Sequence, residues 1–149
     1  MNIKEKLLEV HYEMLNGKIE AFQEMIRTMT EDAQNDAKSS AGDKHETTLS
    51  KMHIEQENLS NKIREAIAAK QILNRIDPKK NSEVVGFGSL VKINAIYLFV
   101  STALPKVFIE DYSILAISED APLIKMLWGK KIYDQITYNG SVFVINELE

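Results

Sequence analysis

LEVHYEMLNGKIEAFQEMIRTMTEDA, residues 8–33, carries apolar side chains at Leu8, Tyr12, Leu15, Ile19, Phe22, Ile26, Met29 and Ala33, in alternating steps of four and three. That spacing is a heptad seam sustained for almost four repeats, and it predicts a long helix with one sealed stripe. The seam stops at Lys38-Ser39-Ser40-Ala41-Gly42-Asp43-Lys44, where small and turn-forming residues cluster. It resumes at Leu49, Met52, Gln56, Leu59, Ile63, Ala66 and, past a polar Lys70, Leu73. Two seams of similar length on either side of a short turn predict an antiparallel two-helix coiled-coil hairpin. A first helix over residues 3–37 is roughly 50 Å long at 1.5 Å per residue, longer than a 72-residue domain is wide, so the hairpin is expected to project. The other faces of such a hairpin must be solvated, and Glu9, Glu13, Lys18, Glu20, Glu24, Arg27, Glu57, Lys62 and Arg64 supply the charge. His11 and His53 fall on the flanks and read as surface residues, while His45 falls in the turn.

Beyond the hairpin the composition changes. No proline precedes Pro78, and of the aromatic residues only Tyr12 and Phe22 lie before it. Strands and turns favour aromatic, β-branched and glycine residues, so the second half is expected to be sheet-rich. The polar stretch Asp77-Pro78-Lys79-Lys80-Asn81-Ser82-Glu83 reads as a linker, giving a hairpin domain over 1–77 and a second domain over 78–149. In the latter, residues 89–94, 95–100 and 112–118 read as strands. Asp120-Ala121-Pro122-Leu123 reads as a helix start with an acidic cap, and Gly129 as its end. Residues 134–138 and 141–145 flank Asn139-Gly140, the strongest short hairpin signal. The expected fold class is α+β, a helical hairpin followed by a small antiparallel sheet with one short helix. Its core is expected to hold Phe87, Tyr97, Phe99, Phe108, Trp128, Tyr133 and Phe143.

The whole chain has 149 residues, a formal charge of −4 and no cysteine. Disulfides, zinc-thiolate sites and thiol nucleophiles are thereby excluded. The acidic balance argues against direct nucleic-acid coating, so contact with RNA or DNA is expected only through a partner. The start of the chain shows no signal-peptide core. The most apolar stretch, 93–104, is broken by Asn94, Ser101 and Thr102 and is shorter than the ~18 residues of a membrane span, so a cytoplasmic protein is expected. A hairpin that satisfies its own seam has no need of a second chain, and a monomer is expected.

Catalytic motifs are scarce: there is no P-loop and no Ser/His/Asp arrangement, and Gly86-Phe87-Gly88 reads as a turn. The acids concentrate between Glu31 and Glu46, where Glu31, Asp32, Asp36, Asp43 and Glu46 outweigh Lys38 and Lys44 for a net charge of −3. Asp43 and Glu46, three apart, would share one side of a helical first turn. The same spacing is that of a capping box, in which each side chain satisfies a backbone amide. The two readings are compatible, since a capped carboxylate is a fixed one, and a fixed pair of carboxylates suits a divalent cation.

Three segments together resemble the Gre transcript-cleavage factors of bacterial RNA polymerase. Ser40-Ala41-Gly42-Asp43-Lys44-His45-Glu46 resembles the family's hairpin tip. Phe87-Gly88-Ser89-Leu90-Val91 resembles the opening strand of its C-terminal domain, and Ile117-Ser118-Glu119-Asp120-Ala121-Pro122-Leu123 with Leu127-Trp128-Gly129-Lys130-Lys131 resembles its later signature. The chain departs from the pattern at Thr47-Thr48-Leu49-Ser50, at Ala121 and at Tyr133, where a glycine commonly precedes the aspartate. The resemblance implies an FKBP-like C-terminal domain that docks on the polymerase rim with Asp120 and Pro122 in the docking surface. It implies a coiled coil that enters the secondary channel, with Asp43 and Glu46 as catalytic, metal-holding tip carboxylates. These would help retain a second Mg²⁺ shared with the polymerase active site, so the protein would stimulate cleavage of backtracked RNA as a cofactor in trans and not as an enzyme. A non-cleaving regulator that docks in the same channel, and an FKBP-type isomerase or chaperone, are the alternatives.

Overall fold

The computed structural model describes the backbone of residues 1–37 and 42–149, and the side chains of residues 1–35, 47 and 49–149. Helix α1 spans Ile3–Ala37 and helix α2 spans Gly42–Leu73. The chain forms two compact units, one of residues 12–70 and one of residues 1–11 with 71–149. The units divide α1 and α2 themselves, whereas composition places its boundary at the Asp77-Pro78 linker.

In the 12–70 unit the heptad positions are the ones withdrawn from water. Leu15, Ala33, Leu59 and Ala66 are buried, and Ile19, Phe22, Ile26, Met29, Met52, Gln56 and Ile63 are half-buried. The charged residues assigned to solvent are exposed. Two cross-helix contacts fix the direction of the pair. Gln56 Nε2 donates to Thr30 Oγ1 at 2.8 Å, and the Lys62 ammonium sits 5.7 Å from the centre of the Phe22 ring. The residue number falls on one helix as it rises on the other, so the helices run antiparallel. The Thr30 hydroxyl donates in turn to the Ile26 carbonyl at 2.9 Å, so it both accepts and donates. On the outer face Arg27 pairs with Glu24 and with Glu31, the latter at 2.6 Å, and Arg64 with Glu57 at 3.1 Å. Exposed pairs of this kind contribute little to stability.

The other unit is built on a six-stranded sheet: β1 Leu90–Ile93, β2 Ile96–Ser101, β3 Val107–Ile109, β4 Tyr112–Ser118, β5 Gln135–Tyr138 and β6 Ser141–Leu148. Their order is β3-β4-β2-β1-β6-β5. The sheet is mixed, not antiparallel as expected, because β2 and β4 pair in parallel, from Tyr97 opposite Ile114 to Ser101 opposite Ser118. The cause is β3, three residues long and preceded by Pro105, which the composition gives no reason to expect. It returns antiparallel onto β4 through a two-residue turn, so β4 leaves that turn running with β2.

Alternation along β2 sends Leu98 and Val100 to one face and Tyr97 and Phe99 to the other. The first face meets α3 (Pro122–Leu127), whose Ile124 and Leu127 are fully buried in a cluster with Val85, Val91, Ile93, Ile136 and Ile145. On the second face the Phe99 ring stacks on His11, with centroids 6.0 Å apart. The start of α1 therefore covers this sheet, and His11 is fully buried instead of lying on the surface. Asn139 and Gly140 take the two positive φ angles, 51° and 79°, that a tight hairpin turn between β5 and β6 requires.

Helix α3 begins one residue later than its expected acidic cap. Ala121 is the N-cap and makes no side-chain cap bond, while the Asp120 amide donates to Ser118 Oγ at 3.1 Å. The aromatic residues divide as well. Phe99 and Tyr97 are buried, but Phe108, Trp128 and Tyr133 are exposed and do not belong to the core.

Candidate functional site

Two of the four residues singled out by the sequence stand at the start of α2. That helix opens at Gly42, so the backbone of Asp43 and Glu46 occupies its first turn, separated by a rise of about 4.5 Å. The side chains of both, and the capping box assigned to them, lie outside the described residues. Amides of a helical first turn have no partner within the helix, and the helix dipole favours negative charge there. The last turn of α1 carries no basic residue. Glu31 and Asp32, toward that end of α1, are exposed, and Glu31 is paired with Arg27. Among the described residues no three His, Asp or Glu side chains come together as a metal-binding group. Two carboxylates alone suit an ion held mostly by other ligands: hard oxygen donors match Mg²⁺, which commonly takes one or two carboxylates with waters.

The other two residues lie at the entry to α3. Asp120 and Pro122 are both exposed, Pro122 at the first helical position where its missing amide costs nothing. The same segment continues into a run of exposed apolar side chains, Met126, Trp128, Ile132 and Tyr133, of which Trp128 and Tyr133 were expected in the core. Tyr133 is 75% exposed and holds a φ of 73°, a left-handed conformation that costs a bulky side chain about 1–2 kcal/mol. Its amide donates to the Ile145 carbonyl at 2.7 Å, which holds the backbone in that state. The end of α3 is fixed by a reciprocal pair of bonds, Gly129 amide to Val85 carbonyl and Val85 amide to Lys130 carbonyl, each 2.8 Å. Trp128 is thus presented outward from a rigid backbone. The signal available in the sequence was the polar setting, Lys130, Lys131 and Asp134, which a core segment would not carry.

Two titratable groups elsewhere are strongly perturbed. Burial pushes His11 down to about 4, and among the described residues neither ring nitrogen has a hydrogen-bond partner. The Tyr97 hydroxyl is pushed up by burial and by the Glu147 carboxylate to which it donates. Both side chains serve packing at the sheet.

No helix among the described residues is long and apolar enough to cross a membrane. No family model matches the chain, and no curated protein matches it. Among solved structures the chain is similar to the transcription factor Gfh1, at 22% identity over 92% of each chain with a TM-score of 0.35.

Proposed function

We propose that this protein is a Gre-like elongation factor that binds RNA polymerase through its secondary channel and stimulates hydrolysis of backtracked RNA. The observation that carries the reading is a heptad-sealed antiparallel hairpin whose second helix opens at Gly42, with Asp43 and Glu46 in its first turn. The sequence resemblance of the tip and of the segments around Ser89 and Asp120 supports the same reading. Asp43 and Glu46 would contribute oxygen ligands, ionised at neutral pH, to a Mg²⁺ ion whose other ligands belong to the polymerase. Such an ion, when bound, supplies an activated water and stabilises the leaving oxygen. This chain's own part is to place two negative charges and to hold them still. Residues 78–149 dock on the polymerase surface, with Asp120, Pro122, Trp128 and Tyr133 in the contact. The protein is a cofactor in trans, acts as a monomer, and meets RNA only inside the polymerase.

Purified polymerase stalled in a backtracked state provides the test. Wild-type protein is expected to shorten the transcript, and Asp43→Ala and Glu46→Ala to reduce the rate at least tenfold while still binding the polymerase. Binding without any shortening by the wild type would replace cleavage by a non-cleaving regulatory role. Equal cleavage by all three proteins would remove these residues from the mechanism.

A further inference from the structure

The first turn of α1, the turn that follows α2 at Arg75 and Ile76, and the two loops at residues 77–82 and 86–88 surround a cavity of about 420 Å³, within the range of small-molecule pockets. Its charged lining is Lys4, Arg75, Lys80 and Asp77, a net charge of +2 in a chain of −4, and the Ser82 hydroxyl and Phe87 ring complete it. The cations are not spent on acids: among the described residues no carboxylate forms an ion pair with Lys4, Arg75 or Lys80. Lys4 is only 2% exposed, yet among the described residues its ammonium makes a single hydrogen bond, to the Lys80 carbonyl at 3.1 Å. An ammonium offers three donors, so two remain. Burial lowers the Lys4 pKa, and the Glu149 and Asp77 carboxylates act against that shift without forming an ion pair with it.

Arg75 sits over the Phe87 ring, its guanidinium carbon 4.5 Å from the ring centre, a cation–π contact. Asp77, the acid in the lining, accepts from the Lys79 amide at 3.0 Å. The loop is held in place independently, because Asn2 Nδ2 donates to the Pro78 carbonyl at 3.1 Å while Asn2 Oδ1 caps α1 through the Glu5 amide at 2.9 Å. The wall of the cavity is therefore preformed.

We propose that this cavity binds a small phosphate-bearing anion, of the kind represented by inorganic phosphate or pyrophosphate, between the Arg75 guanidinium and the Lys4 and Lys80 ammonium groups. A guanidinium edge grips two phosphate oxygens at once, and a buried ammonium with free donors is worth more to an anion than an exposed one. Ser82 offers a neutral donor for a further oxygen. Its lining lies wholly within the unit of residues 1–11 and 71–149.

The test is calorimetric titration of the full chain with phosphate and with pyrophosphate, against sodium chloride and sulfate at matched ionic strength. Saturable binding at least tenfold tighter for a phosphate species than for sulfate is expected. Arg75→Gln and Lys80→Gln, both at exposed positions, should fold as wild type and lose affinity at least tenfold. Lys4→Met removes the charge and keeps the stem, and should likewise lose binding. No saturable heat with either phosphate species, affinity equal to that for sulfate, or undiminished binding by folded Arg75→Gln and Lys80→Gln would overturn the proposal.

Discussion

His11 lies one turn after Leu7 and two after Lys4, and all three are buried although two are polar types. They form a second stripe on the first turns of α1, beside the seam through Leu8, Tyr12 and Leu15, and this stripe meets the sheet through the His11–Phe99 stack. The folded state holds the imidazole neutral with a pKa of about 4, whereas an unfolded chain protonates it near 6.5. The unfolded state thus binds the proton first, and stability is complete above pH 6.5 and lost as pH falls from 6.5 toward 4. At about 1.4 kcal/mol per pKa unit the ceiling of this loss is about 3 kcal/mol. Urea unfolding at pH 7.5 and 4.5 should show it in the wild type, and His11→Phe should lose about 2 kcal/mol less over that interval. Gly17, exposed within α1 with nothing within 4 Å of an added Cβ, gives the opposite sign. Gly17→Ala should raise stability by about 0.5–1 kcal/mol in the same assay. The second stripe was not legible in the sequence because Lys4 and His11 carry polar labels, and only a sheet packed against them explains why they are inside.

At the scale of elements, the helices were readable because their burial is periodic and local. Every heptad position named from spacing is buried or half-buried where its side chain is described, and the intervening charges are exposed. Leu59→Ala should accordingly cost about 2 kcal/mol or more, and Glu57→Ala less than about 0.5 kcal/mol, by thermal or urea unfolding. The sheet was legible only in part. Strands with a clear alternation or a turn signal, such as β4 and the Asn139-Gly140 hairpin, follow from their residues. The three-residue β3 and the parallel pair it creates follow from long-range pairing that no local pattern encodes. The aromatic residues misled because hydrophobic type does not fix burial: Trp128 and Tyr133 are exposed at the edge of α3. Tyr133→Gly relieves a left-handed φ at a largely solvent-exposed side chain, so stability should hold or rise by up to about 1 kcal/mol. In a polymerase-binding titration the same variant should bind several-fold more weakly, which separates docking from folding.

For the whole molecule the distribution of charge matters more than its sum. An acidic chain keeps a cationic cavity lined from residues 4 and 75–88, and it concentrates a net −3 between Glu31 and Glu46. The net charge of that stretch was legible, being a sum over neighbouring residues, while the side chains of Asp43 and Glu46 lie outside the described residues. The cavity was not legible, because Lys4, Arg75 and Lys80 come from distant parts of the chain. The central claim is that Asp43 and Glu46 lend negative charge to a weakly held metal ion in another protein's catalytic centre. The most direct measurement is the Mg²⁺ dependence of transcript cleavage by backtracked polymerase, with and without this protein and with the paired substitution Asp43→Asn, Glu46→Gln. The wild type should lower the Mg²⁺ concentration for half-maximal cleavage at least several-fold, and the neutral pair should leave it at the value of polymerase alone. An unchanged Mg²⁺ dependence with the wild type, or an equal shift from the neutral pair, would contradict the account.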